Sequence, residues 1–314
     1  MSDMTIPVPT PATGDAPEPG DAVGASGEVA KPPGIIRVAL RMWRTRVGLI
    51  ITTMLVLLAF FGRYFAPYGE NEGIGVAMKP RSEVEKDTLF GTGELGRDIW
   101  TRFLYGGRPI LITAFLATGL ALVVGTTVGL LAAYSRGVLD DILMRTMDVV
   151  ISLPTIILTL VVISMYGASN LLLILTVGIS TVPRFARVVR GAAVSVVERD
   201  FVGAAEALGE RRWRILVSEL LPNITAPLLV EASLRLTFTI AFIAGLAFIG
   251  FTSDPLTANW GLMMDQHRSG LLGNQPWGTI LPVIAIALLT IGTGLIGDGL
   301  SRAAAGIDRA RGDA

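Results

Sequence analysis

Six stretches of the chain are long and apolar enough to form membrane-spanning helices. Crossing a bilayer core takes about 20 mostly apolar residues, because every backbone N–H and C=O must find its partner inside a helix where water is absent. The predicted spans are Val47–Ala66, Pro109–Tyr134, Val149–Tyr166, Ala168–Pro183, Ile224–Phe251 and Thr279–Gly297. The pattern therefore predicts an all-α fold, a polytopic membrane helix bundle with six transmembrane helices.

Small residues and one proline interrupt these spans at defined places. Residues 125–129 read Gly-Thr-Thr-Val-Gly, and two glycines four positions apart let two helices approach closely in lipid. Pro154 removes a backbone donor from the third span, so we expect a bend there, shortly after Asp148. These features predict a packed bundle rather than separate membrane anchors.

The distribution of Lys and Arg predicts the orientation of the bundle. Such residues are retained on the cytoplasmic side of short loops, and six crossings place both termini on one side. That side carries most of the cations, including seven between Arg184 and Arg214. We therefore expect both termini to lie in the cytoplasm.

The polar segments divide the chain into five regions. Residues 1–34 hold seven prolines, five glycines and five acids, so they bury too little apolar surface to fold and are predicted to form a disordered cytoplasmic arm. A cleaved secretory signal is the alternative, but Met1–Ala30 lacks a cationic start followed by an apolar core. The other predicted regions are an N-terminal transmembrane helix (35–68), an external loop (69–108), a core (109–303) that contains a cytoplasmic loop (184–223), and a cytoplasmic tail (304–314).

Composition excludes several classes of function. Hydrophobic residues make up 51% of the chain and charged residues only 17%, and the 26 basic side chains balance 26 acids, so there is no general basic field to bind nucleic acid. The absence of cysteine excludes disulfides and thiolate sites, and none of the three lysines follows a glycine as an ATP-binding Walker loop requires. The only histidine, His267, is expected on a solvated loop. No catalytic, cofactor or metal site is predicted.

The cytoplasmic loop carries a helical pattern. Its first apolar face comprises Phe201, Ala204, Ala205 and Leu208, and its second comprises Trp213, Leu216, Val217 and Leu220. Gly209 separates the two faces and Pro222 ends the pattern. Two short helices of this kind need a cover for their apolar faces, which is either the underside of the bundle or a socket in a soluble partner.

Four charged positions within or at the edge of the predicted spans are candidate functional residues. Glu231 and Arg235 are four residues apart on the fifth span, where they can pair on one helix face; they form either a structural pair or a gate. Asp148 lies at the start of the third span, and Asp298 is expected in the last turn of the sixth, close to a loop arginine. Arg184, Arg187 and Arg190 are expected to continue the fourth helix and to contact lipid phosphate or a partner.

The loop sequence FVGAAEALGERRWRILVSELLPN, residues Phe201–Asn223, resembles the signature loop of bacterial ABC-importer permeases. Ala204, Ala205, Gly209, Leu221 and Pro222 match that pattern, whereas Gly203 stands where Glu is usual and Glu219 where Ile is common. Further similarity lies in FGTGELGRDIWTRFLYGGR (Phe90–Arg108, with Gly93 where Asp is frequent), PRFARVVRGAAVSVVERDFV (Pro183–Val202), LAFIGFTSDPLTANWG (Leu246–Gly261) and LIGDGLSRA (Leu295–Ala303). Together these segments resemble the dipeptide, oligopeptide and nickel permeases that have an extra N-terminal transmembrane helix.

The resemblance implies a division of labour in a bacterial inner membrane. A type I ABC-importer permease pairs with a homologous permease, binds two ATPase subunits that hold ATP and Mg²⁺, and receives cargo from an external binding protein. The implied cargo is a di- or oligopeptide, with nickel or another small solute as the alternative. A secondary transporter or channel without ATPase partners is the rival class, although such proteins usually show acids or broken helices near the middle of the membrane. A membrane scaffold without transport is the third.

Overall fold

The computed structural model describes residues 35–84, 86–135, 137–273 and 275–312, with side chains described as far as residue 306. The arm predicted over residues 1–34 lies outside these residues. The helices are α1 (Ile35–Arg41), α2 (Trp43–Phe61), α3 (Ile99–Ser135), α4 (Val138–Ser152), α5 (Thr155–Tyr166), α6 (Asn170–Val197), α7 (Asp200–Ala207), α8 (Arg212–Arg214), α9 (Leu221–Asn223), α10 (Thr225–Phe248), α11 (Trp260–Gln266) and α12 (Trp277–Gly312). A π-helical turn, Ile215–Leu220, joins α8 to α9. Within the described residues the fold is all-α, as predicted.

Five helices have the length and hydropathy to cross a membrane, and a bent pair brings the number to as many as six. The five are α2, α3, α6, α10 and α12. α3 and α12 contain the second and sixth predicted spans, whereas α2, α6 and α10 cover most of the first, fourth and fifth. Two of these helices extend well beyond the predicted spans. α3 begins ten residues before Pro109 and continues through it, and α6 continues through Pro183 to Val197.

The bend predicted at Pro154 in the third span, Val149–Tyr166, is confirmed, and it is sharp enough to divide the span between two helices. The chain breaks between α4 and α5, whose axes are bent by 76°, with Pro154 at the N-cap of α5. Proline disfavours helical geometry in the residue before it, and Leu153 accordingly adopts an extended conformation. α5 has only 12 residues, or about 18 Å of helix, which is shorter than a bilayer core of about 30 Å.

Glycines bring α3 and α6 into close contact at the predicted point. A Cβ at Gly129 would lie 2.6 Å from the carbonyl oxygen of Ala186, and one at Gly125 would collide with Phe185. Phe185 and Ala186 are fully buried in this contact. The two-glycine motif therefore fixes the central helix pair of the bundle by close backbone approach.

The two ends of the bundle differ in their content. The loop end contains residues 62–84, 86–98, 167–169, 249–273 and 275–276. Hydrogen bonds join the segment before α3 to the segment after α10, such as Ala258 N to Glu70 Oε1 at 2.6 Å and Gln275 Nε2 to the Phe90 carbonyl at 2.8 Å. The short-helix end contains the α3–α4 turn and residues 198–224. α2, α3, α6, α10 and α12 run between these ends, so each end is a distinct surface.

Candidate coupling surface and loop-end cavity

The turn between α7 and α8 is built on Gly209. This residue has a φ of +75°, a left-handed conformation that glycine adopts without steric cost. Its N–H donates to the Glu206 carbonyl at 2.9 Å, and the N–H of Glu210 donates to the Ala205 carbonyl at 3.1 Å. This pair of bonds is a Schellman motif, which satisfies the last carbonyls of α7. Gly209 therefore sets the direction in which α8 leaves α7.

One side of the short helices packs against the bundle. Val202, Ile215 and Leu220 are fully buried in a cluster with residues of α3 and α6 such as Leu130 and Val189. The partly buried Ala205, Leu216 and Leu221 pack against the same cluster. These contacts hold residues 200–223 against the ends of α3 and α6 at the short-helix end. Part of the apolar surface is thus covered by the underside of the bundle, one of the two covers expected from the sequence.

The other side is apolar and exposed. We call it the outward face; its members are Phe201, Ala204, Leu208, Trp213 and Val217. The side chains of Leu208 and Trp213 are 84% and 62% exposed. Each of the two apolar faces predicted from helical spacing therefore has some residues against the bundle and some exposed. Ala205, Leu216 and Leu220 pack against the bundle, and the other members of the two faces are exposed. Val202 and Ile215, which sequence analysis missed, are the deepest inward contacts.

Pro222 was predicted to end this helical segment, but the segment continues to Asn223 and breaks at Ile224. The π-helical turn Ile215–Leu220 ends two residues before Pro222, and π-helical turns of this kind are one of the places where a helix can bend. Ile224, with a φ of −108° and a ψ of 9°, separates the segment from α10. Leu221 and Pro222 therefore lie in the last turn before the fifth predicted span.

Two of the three α6 arginines bind acids of α4. Arg190 forms a bidentate ion pair with Asp140, with Nε–Oδ1 and Nη2–Oδ2 distances of 2.6 and 2.5 Å. Arg187 Nη2 lies 2.6 Å from Asp148 Oδ1. Arg184 is exposed and pairs with no described residue. The sequence did not predict the contact of Asp148 with Arg187. Together the two ion pairs connect α4 to α6, the helix that leads into the short helices.

Glu231 and Arg235 form the predicted pair on α10. Arg235 Nε donates to Glu231 Oε1 at 2.6 Å, and the Arg235 guanidinium lies 5.5 Å from the ring centre of Phe238. Glu231 is six residues, or about 9 Å, from the start of α10. The pair thus lies in the half of α10 nearest the short-helix end. Asp298 is exposed and forms no ion pair with the residues that the structure describes, so the expected arginine contact is absent there.

A cavity of about 540 Å³ opens at the loop end. One face of α3 lines it with Tyr105, Arg108, Pro109, Ile112, Thr113 and Leu116, which recur at helical spacing. Charged residues from three other segments complete its rim: Arg63, Glu70 and Asp254. Sequence analysis missed this site because its charges come from separate parts of the chain: Arg63 lies near the end of the first predicted span, Arg108 directly before the second, and Glu70 and Asp254 in loops.

His267 is buried, which corrects its expected place on a solvated loop. Only 2% of the residue is exposed, and its ring lies against Gly93 and Gly278, where any side chain would collide with it. Nδ1 lies 2.8 Å from the Met263 carbonyl. Burial lowers the pKa of His267, because the charged imidazolium loses its hydration. The ring occupies the space beside Gly93, the position at which the motif departs from its usual Asp.

Comparison with known proteins identifies the family to which this chain is similar. Residues 125–305 match the family model described as a binding-protein-dependent transport system inner membrane component. The dipeptide transport system permease protein DppC of Alkalihalophilus pseudofirmus is 35% identical over 81% of this chain and 83% of its own length. The glutathione transport system permease protein GsiD of Pectobacterium atrosepticum is 32% identical over 80% of this chain and 83% of its own length.

The solved structure of the MetNI methionine ABC transporter, in an inward-facing conformation, shares the fold. It matches with a TM-score of 0.52 and 20% identity, over 65% of this chain and 96% of the matched chain. The matched family segment, residues 125–305, includes both the Gly125–Gly129 contact and the short helices. The chain therefore belongs to the ABC-importer permeases, the inner membrane components of binding-protein-dependent transport systems, and within them to the peptide permeases.

Proposed function

We propose that this chain is one permease subunit of an ATP-driven importer of di- or oligopeptides. It forms half of the translocation path, and a homologous permease forms the other half. Two ATPase subunits bind ATP and Mg²⁺ beneath it, while the chain itself binds neither. An external binding protein delivers the cargo to the loop end, so both termini and the short-helix end lie in the cytoplasm.

The observation that carries this proposal is the outward face of residues 200–223. Its large apolar side chains, above all Leu208 and Trp213, are exposed at the short-helix end of the bundle. Exposed apolar side chains grouped on one surface indicate a protein interface. Arg211, Arg212 and Arg214 flank this face and are exposed, so the docking surface on an ATPase subunit would be apolar with an acidic rim.

The inward contacts provide a route for coupling. Val202 and Ile215 are buried in one cluster with residues of α3 and α6. A displacement of residues 200–223 by a bound ATPase subunit would therefore move the ends of α3 and α6 as well. The Arg190–Asp140 pair extends the connection to α4. Closure of the ATPase subunits on ATP would thus bias the bundle between two packed arrangements.

The cargo class is supported by the named relatives. DppC belongs to a dipeptide transport system and GsiD to a glutathione transport system, and both cargoes are small peptides. The loop-end cavity, with both positive and negative side chains around an apolar wall, is also suited to a zwitterionic peptide.

Uptake by the complete complex in proteoliposomes tests the function. Labelled dipeptide should accumulate only when ATP is present on the side of the short helices and when the binding protein is present on the other. Uptake driven by a proton or sodium gradient, in vesicles that contain the permeases without ATPase subunits, would identify a secondary transporter and contradict the proposal.

A further inference from the structure

The loop-end cavity has the size and composition of a small-ligand site. Its volume of about 540 Å³ lies within the range of roughly 300–1,000 Å³ that ligand pockets occupy. Its lining includes apolar side chains such as Ile112, Leu116, Ile174 and Phe251. Polar and charged side chains share the lining, so polar groups can orient a ligand while the apolar side chains accept its apolar parts.

Arg108 is the charged group of this cavity that has no protein partner among the described residues. Its side chain is exposed and forms no ion pair or hydrogen bond with them. Arg63, in contrast, donates to the Tyr64 hydroxyl at 2.6 Å and lies over that ring. A guanidinium binds carboxylates through two parallel hydrogen bonds. Arg108 is therefore the group available for an anionic ligand.

Asp254, on a segment of the rim outside α3, offers an acceptor. It accepts hydrogen bonds from Leu256 N and Thr257 Oγ1, and these bonds keep the pKa of Asp254 below its usual value, so the group carries its negative charge. Asp254 therefore attracts a cation, and one cavity combines an anion site on α3 with a cation-attracting group on another segment.

We infer that this cavity is a transit site for the peptide backbone, in which Arg108 binds the C-terminal carboxylate of the cargo. The Asp254 side of the rim attracts the N-terminal ammonium, and the apolar wall accepts side chains of varied shape. Because polar contacts go to the two termini, the site takes short peptides with a free carboxylate and tolerates varied sequences. The inference rests on the proposed peptide cargo and adds a site and a recognition chemistry to it.

Protection of a single introduced cysteine tests the site directly, since the chain has no native cysteine. The substitution Ile112→Cys places the thiol on the cavity wall, and maleimide labelling of this subunit is followed in the purified complete complex without binding protein. The dipeptide Ala-Phe should slow labelling, and its C-terminal amide should protect poorly. When Arg108→Gln is added, about tenfold more Ala-Phe should be needed, while protection by the amide should not change.

Arg268→Gln is the matched control, because Arg268 lies at the same end, pairs with Asp265 at 3.6 Å and does not line the cavity. Equal protection by Ala-Phe with and without Arg108→Gln would overturn the inference, as would an introduced thiol that the partner permease shields from label altogether. Faster labelling with Arg108→Gln in the absence of peptide, and no peptide effect, would assign Arg108 to a lipid phosphate and also overturn it. ATP-driven uptake by the wild type is measured in parallel, so a failed site is distinguished from a failed function.

Discussion

At the scale of single residues, backbone conformation and burial decide which positions carry function. Gly209 is needed for its left-handed φ rather than for space, because no atom lies within 4 Å of a Cβ built there. His267, in contrast, is needed for its shape, since its ring fills a space between two glycines. The sequence identified Gly209 from its place between two apolar faces, but nothing in the pattern around His267 distinguishes a buried ring from a solvated one.

Gly209→Val should weaken the turn by about 1–2 kcal/mol, because a β-branched residue resists a positive φ. Gly203→Val is the matched control, since Gly203 lies inside α7 with ordinary helical geometry and open space around it. We expect limited proteolysis to cut residues 205–212 faster in the Gly209 variant alone, with loss of peptide uptake. Equal protection of both variants would contradict the role of the turn.

The burial of His267 predicts a pH dependence of stability at the loop end. The folded pKa is lowered, so the unfolded chain binds more protons once the pH falls below the ordinary value of about 6.5. The contribution of the neutral ring is therefore complete above that pH and is lost as the pH falls through the folded pKa. The apparent unfolding midpoint in detergent should fall between pH 8 and 5.5, and it should fall less in His267→Gln. An identical pH profile for both proteins would refute this account.

At the scale of helices, hydropathy predicts most of the fold. Five of the six predicted spans each correspond to one helix, with bounds that differ by a few residues, because a long apolar run in lipid has no alternative to helical hydrogen bonding. The third bends at Pro154, as the proline predicted, although its hydropathy stays high across the break. The short helices are present where the helical spacing predicted them, but the spacing did not indicate which residues of each apolar face meet the bundle. In the structure, Val202 and Ile215 are fully buried against the bundle.

The α4–α6 ion pairs give a testable contact between elements. Arg190→Gln should lower the free energy of unfolding by about 1 kcal/mol or less, because the pair is bidentate but partly exposed. Arg184→Gln removes a neighbouring exposed arginine that pairs with no described residue, and it should have no effect. A double-mutant cycle with Asp140→Asn measures the coupling in detergent. A coupling energy of zero would remove α4 from the proposed route.

At the scale of the whole molecule, the account depends on which end faces the cytoplasm. The absence of native cysteine allows single introduced cysteines to be labelled without background. Cysteines introduced at Gly137 and Glu210 should react only from the cytoplasm, and those at Ser82 and Leu272 only from outside. Labelling of Glu210→Cys from outside in intact cells would invert the bundle and remove the short-helix end from any ATPase.

The most direct measurement of the central claim is the binding of ATPase subunits to the outward face. Leu208→Glu and Ala204→Glu place a charge on this face without disturbing the inward contacts, whereas Ser195→Glu adds the same charge to an exposed position of α6. An unpaired charge buried at an interface costs several kcal/mol, about 3–5 kcal/mol when one partner is missing. Co-purification should therefore lose the ATPase subunits in the first two variants and retain them in Ser195→Glu. Full retention in all three, with normal uptake, would contradict the account.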